Sequence, residues 1–149
     1  MDPIARFGEY ATAFEDVYKS DDWSLLDPYF TDDAVYEIEA DPPFGARHEG
    51  RAVIYKALKE SLDNNDRRFA SRNLELLEGP KNVDGAVWIR WRATYTLEGA
   101  PDFVMNGEET AHFEGDRISR LVDVFTEETQ KNALAYLRAH GDKLPPPRA

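Results

Sequence analysis

The chain contains no cysteine, only two methionines and three histidines, and far fewer cations than anions. Without a thiol there is no disulfide, no thiolate nucleophile and no cysteine-based zinc site, so nothing supports secretion or thiol redox chemistry. Eighteen Lys and Arg against 29 Asp and Glu leave a net charge of −11. Such a surface repels phosphate backbones and anionic lipid, which argues against nucleic acid and membranes as partners. No apolar run approaches the roughly 18 residues of a membrane span, and the start M-D-P-I-A-R-F lacks the basic and apolar regions of a secretory signal. A cytoplasmic protein is expected. No His/carboxylate spacing forms a metal signature, and neither a metal nor a cofactor is expected.

At 149 residues the chain suits one domain, long enough to bury most of its apolar surface in one core. Pro3 opens a helix whose Ile4, Phe7, Tyr10, Ala11, Phe14, Val17 and Tyr18 recur every three to four residues, making one buried stripe. Asp22 is placed to cap a short helix that points Trp23, Leu26, Tyr29 and Phe30 inward. After the Asp32-Asp33 turn, Ala34 to Glu39 alternates as a strand, with Ala34, Tyr36 and Ile38 on the core side. The loop Asp41-Pro42-Pro43-Phe44-Gly45 cannot continue a ladder and reads as a pocket rim, with His48 upon it. A helix follows from Arg51 to about Leu62.

Four strands then fit the rest: Phe69 to Glu78, Ala86 to Leu97, Glu108 to Glu114 and Ile118 to Phe125, with turns at Asp84-Gly85 and Gly115-Asp116. Thr126 caps a last helix ending at Gly141, expected to dock through Ala133, Leu134 and Leu137. The Pro-rich tail 143–149 is expected to be loose. In the strand from Ala86, residues Ile89, Trp91, Ala93 and Tyr95 share one face, and Arg90, Arg92 and Thr94 the other. Trp88 falls on the Arg side, which suggests a homodimer through that outer face.

The segments Y-F-T-D-D-A-V-Y-E-I, A-V-W-I-R-W-R-A-T-Y-T-L and G-D-R-I-S-R-L-V-D-V-F, over roughly Phe7 to Phe125, resemble the nuclear transport factor 2-like superfamily and, within it, the SnoaL-like polyketide cyclase branch. The resemblance implies an α+β, cystatin-like cone: a curved mixed or antiparallel sheet wrapped around N-terminal helices, here with an extra C-terminal helix. It also implies an apolar pocket for a small lipophilic molecule. Two better-known sites of the superfamily do not carry over. Alignment on Asp32-Asp33-Ala34 puts Ile38 where ketosteroid isomerases hold their carboxylate base and Phe14 where they hold a helix-one Tyr, with Tyr18 one turn later. Only Glu109 remains to supply their second acid, and an alkyl side chain takes no proton. Against limonene epoxide hydrolases, Trp91 and Ala93 replace the Arg and first Asp and Ile38 replaces the Asn, whereas Tyr36 and Asp123 match.

Asp123, flanked by Leu121, Val122, Val124 and Phe125, is the leading candidate for an acid or base, because apolar neighbours raise a carboxyl's pKa; the alternative is a structural ion pair. Tyr36 is the second candidate, or else a core Tyr satisfied locally. Glu109 shares a face with Ala111 and Phe113 and either opposes Asp123 as a second carboxyl or begins a solvated strand. Trp91, Tyr95, Phe14, Tyr18 and Ile38 are candidate ligand-binding walls, or simply core. His48 and His112 read as surface residues. Two functions stay open: a cofactor-independent cyclase, dehydratase or isomerase acting on a polyketide- or terpenoid-like molecule, and a non-catalytic ligand-binding or dimerisation module.

Overall fold

A computed structural model describes residues 1–147. Helix α1, Pro3–Ser20, starts where the Asp2 side chain accepts the Ile4 amide and ends at Asp21, whose left-handed backbone closes the last turn onto the Val17 carbonyl. A 3-10 turn over Trp23–Leu26, capped by Asp22, leads into strand β1, Phe30–Glu39. Strand β2, Ala46–Glu49, returns beside it, and helix α2, Arg51–Asn64, follows. Strands β3 (Ser71–Val83), β4 (Ala86–Thr96), β5 (Phe103–Glu114) and β6 (Arg117–Val124) precede helix α3, Glu127–His140, capped by the Thr126 hydroxyl on the Thr129 amide.

The six strands form one open, mixed sheet in the order β2-β1-β6-β5-β4-β3. Only β1 and β6 run parallel among these neighbours; every other pairing is antiparallel. One face of this sheet holds the core. Phe7, Tyr10 and Val17 of α1 and Ile54 and Leu58 of α2 pack there against Phe30, Ala34, Tyr36, Val87, Ala111, Ile118 and Leu121. A second cluster joins Phe69, Tyr95, Phe103 and Ala93 to Ala133 of α3 and to Leu144.

Register decides which carboxyls reach that inner face. In the hairpin from β5 to β6, Glu114 pairs with Arg117 and Phe113 with Ile118, but His112 pairs with Arg120. Ser119 is therefore an extra residue, a β-bulge on β6. Because side chains alternate faces with a period of two, the extra residue sends Leu121 and Asp123 inward together with Ile118, and Arg120 and Val122 outward.

Several expectations require correction, the first being the Asp32-Asp33 turn: both residues lie within β1. His48 lies on strand β2, not on a rim loop, because β1 offers it a pairing edge at Tyr36. Helix α3 docks through Thr129, Gln130 and Ala133, whereas Leu134 and Leu137 stay 39% and 37% exposed. The tail is tethered at its start: Leu144 is buried in the second cluster and the Pro145 carbonyl accepts from Arg68 Nε at 2.8 Å. The end of that expectation, 148–149, lies outside the described residues. No helix among the described residues is long and apolar enough to cross a membrane.

Candidate active site

The centre of the inner face is a rung of side chains running across four strands. Ile89 on β4 is opposite Glu109 on β5, Glu109 is opposite Asp123 on β6, and Asp123 is opposite Ile38 on β1. Two carboxyls thus sit side by side between two isoleucines. On the next rung, Leu121 is beside Tyr36, and Tyr36 is beside His48 on β2. The Tyr36 hydroxyl donates a short hydrogen bond to Asp123 Oδ2. The rings of Tyr36 and His48 stack at 6.1 Å between centroids.

Asp123 is 8% exposed, and its second oxygen, Oδ1, is buried with no hydrogen-bond donor among the described residues while both carboxyls are ionised. Glu109 lies within hydrogen-bonding reach of it. A proton on Glu109 can therefore be donated to the Asp123 carboxylate, and the two carboxyls share it. Burial is the first cause that pushes the Glu109 carboxyl well above its ordinary value, followed by the negative charge of Asp123 and the hydrogen bond donated to it. Burial also raises Asp123, while the hydrogen bonds from Glu109 and Tyr36 pull it partly back. The consistent protonation state is a neutral Glu109 donating to an Asp123 carboxylate that also accepts from Tyr36.

Tyr10 was read from the sequence only as part of the apolar stripe of α1, yet it belongs to this site. Its hydroxyl is raised well above the ordinary tyrosine value by burial and then by the charges of Glu109 and Asp123. Tyr36 is raised in the same way, by burial and then by Asp123. The sequence signal that could have found Tyr10 is a tyrosine at a helix position otherwise occupied by hydrocarbon.

Other proposed wall residues are placed differently. Trp91 lies across from Gly107, where an added Cβ would come within 2.5 Å of the indole, and meets Phe125 edge-on; it borders the rung of Glu109 and Asp123. Phe14 packs between Tyr10 and Trp23 at the margin of the first core. Tyr95 belongs to the second cluster and donates to Asp66 Oδ2 at 3.2 Å, so it does not face the carboxyl pair. Tyr18 lies under the guanidinium groups of Arg67 and Arg72, at 5.5 and 4.5 Å, and is part of an ionic cluster rather than of this site. Two surface recesses of about 420 and 310 Å³ are lined by neither Tyr36, Glu109 nor Asp123. Among the described residues, no group of three or more His, Asp or Glu is placed to hold a metal ion.

An open curved sheet folded over helices, with its polar groups gathered at the centre of the inner face, defines the cystatin-like, nuclear transport factor 2-like class. Residues 11–131 match the SnoaL-like domain, and the chain belongs to that family. Among solved structures, a putative isomerase from Bacillus subtilis is 18% identical, with 91% of this chain and 96% of that one covered at a TM-score of 0.63. Bal32a, from a soil-derived mobile gene cassette, is 17% identical over 85% of this chain and 93% of its own, at 0.62. A Catenulispora acidiphila protein of ketosteroid isomerase-like fold, crystallised with trimethylamine, is 18% identical over 81% and 88%, at 0.58. These likenesses concern the fold. No curated protein matches the chain.

Proposed function

We propose that the inner face is the active site of a cofactor-independent proton-transfer enzyme of the cyclase, dehydratase or isomerase kind, acting on a small lipophilic polyketide- or terpenoid-like molecule. The observation that carries this reading is the Glu109–Asp123 pair, two carboxyls side by side on β5 and β6, set among apolar and aromatic side chains. Two acids whose neighbours divide one proton between them provide an acid and a base in the same place. Asp123 takes a proton from a carbon next to a carbonyl, and Glu109 gives its own to the carbonyl oxygen. The pair has then exchanged its single proton and is reset when the proton passes back across it. Glu109 also keeps some water-accessible surface.

The test is deuterium uptake from D₂O into a panel of lipophilic β-dicarbonyl compounds, followed by mass spectrometry. Asp123→Asn is expected to abolish uptake while leaving probe affinity within about tenfold, the pattern of an interaction lost in the transition state. The position of the two recesses away from the carboxyl pair favours the rival reading of a non-catalytic binding module. That reading is upheld if the wild-type protein binds a probe without exchange and the variant changes affinity alone.

The same reading includes a homodimer through the outer face of the sheet. Trp88 is half-buried there beside Thr110, with Val104 40% exposed further along β5. Sedimentation at micromolar concentration is expected to give a dimer, and Trp88→Asp a monomer, because a two-fold contact sets the new charge against its own copy.

A further inference from the structure

The geometry points to a second, separate ligand site: the recess of about 420 Å³ between the end of α2, the start of β3 and the α3 terminus, which we propose binds a small aromatic or aliphatic carboxylate. Its volume lies in the range of small-molecule sites. Phe69, only 8% exposed and stacked on Phe103 at 5.7 Å, forms an apolar wall together with Ala70 and Leu97.

Charge selects the sign of the ligand. In a chain of net charge −11, this recess is lined by Arg67, Arg68 and Lys143 against a single carboxylate, Glu98. Arg67 is neutralised by Asp21 and Asp63, at 2.8 and 2.7 Å, although its buried Nε still lacks an acceptor. Arg68 and Lys143 have no carboxylate partner among the described residues. Instead, backbone carbonyls hold them in place: Arg68 donates from Nε to Pro145 and from Nη1 to Asn64, at 2.8 and 3.2 Å, and Lys143 Nζ donates to Gly99 at 2.9 Å. Carbonyls orient these cations without cancelling their charge. Lys143 Nζ also lies 3.5 Å from His140 Nδ1, so Arg68 Nη2 and one of the three Lys143 protons remain for a ligand, and a planar carboxylate suits a guanidinium edge. Two available cations against one anion favour a monoanion, whose hydrocarbon part lies on Phe69.

The probe is 2-naphthoate, with the neutral 2-naphthamide as its isostere, titrated calorimetrically into the full chain. Naphthoate is expected to bind at least tenfold more tightly than the amide. Arg68→Gln and Lys143→Gln are each expected to weaken it by about tenfold, the loss of one charge-assisted hydrogen bond. Glu98→Gln tightens it and leaves the backbone contacts of both cations untouched, so it tests the site even if Arg68→Gln disturbs the tether at Pro145. Asp123→Asn leaves naphthoate binding unchanged, which separates this site from the carboxyl pair. Equal affinity for acid and amide, insensitivity to all three substitutions, or no binding at about 10 mM probe would each overturn the proposal.

Discussion

Two groups of buried carboxyls lie in this molecule, and they behave in opposite ways. In the first, Asp21 and Asp63 bracket Arg67 and share Lys59, at the junction where α1 and α2 end. Arg72, 8% exposed, extends the cluster to Asp66 and Glu15. Burial alone would raise Asp21 and Asp63, but the hydrogen bonds and charges of Arg67 and Lys59 overcome it and hold both below their ordinary value. The second group, Glu109 and Asp123, has no cation partner among the described residues and both carboxyls rise, although Asp123 is no less exposed than Asp63, at 8% against 7%. Burial by itself therefore does not make a carboxyl reactive. The partner decides: cations turn the first group into a clamp between helices, and a second acid turns the other into a reservoir for one proton.

The strongest challenge to this contrast is Arg67→Met, which leaves Asp21 and Asp63 without their shared guanidinium. Removing one partner of a buried pair costs about 3–5 kcal/mol, and urea unfolding at neutral pH is expected to show a loss of that size. A change below about 1 kcal/mol would mean that water already shields the cluster. Tyr36→Phe acts on the other group by removing a donor to Asp123 Oδ2. It is expected to cost about 1–3 kcal/mol, since a buried acceptor is left with less than it needs.

The smallest effect has the opposite sign. A carboxyl whose folded pKa is raised costs stability as pH climbs from its ordinary value, 4.5 for Glu109, through the folded value, because the folded chain then holds a proton that the unfolded chain has released. Glu109→Gln removes that slope. Unfolding between pH 5 and 8 is expected to show the variant gaining on the wild type as pH rises. Asp21 and Asp63 give the reverse dependence: their stabilisation is present above 3.8 and is lost as pH falls through their depressed values.

Much of the frame was legible in the residues themselves. The apolar stripe of α1, the alternation along β4 and the caps at Asp22 and Thr126 are local signals, and local signals survive folding. The inward placement of Asp123 was expected from its apolar neighbours, but its pairing with Glu109 was one of two open readings. That pairing depends on register, and register depends on a bulge that no residue near Ser119 announces. His48 escaped because a four-residue edge strand following two prolines has too little pattern to recognise. Tyr10 escaped because hydropathy treats a tyrosine as hydrocarbon and disregards its hydroxyl.

The bulge at Ser119 also makes the chemistry of the inner face a matter of counting. Were β6 to run as a regular ladder from Ile118, with Ser119 taking a place in it opposite His112, the side chains meeting β5 from the inside would be Arg120 and Val122 in place of Leu121 and Asp123. No substitution is needed: an aliphatic group replaces the base, and a guanidinium enters a core that has no place for it. Within this fold, a one-residue slip of β6 against β5 can thus rewrite an entire row of the interior at once, a larger step than any point mutation offers and one that leaves the outline of the sheet intact.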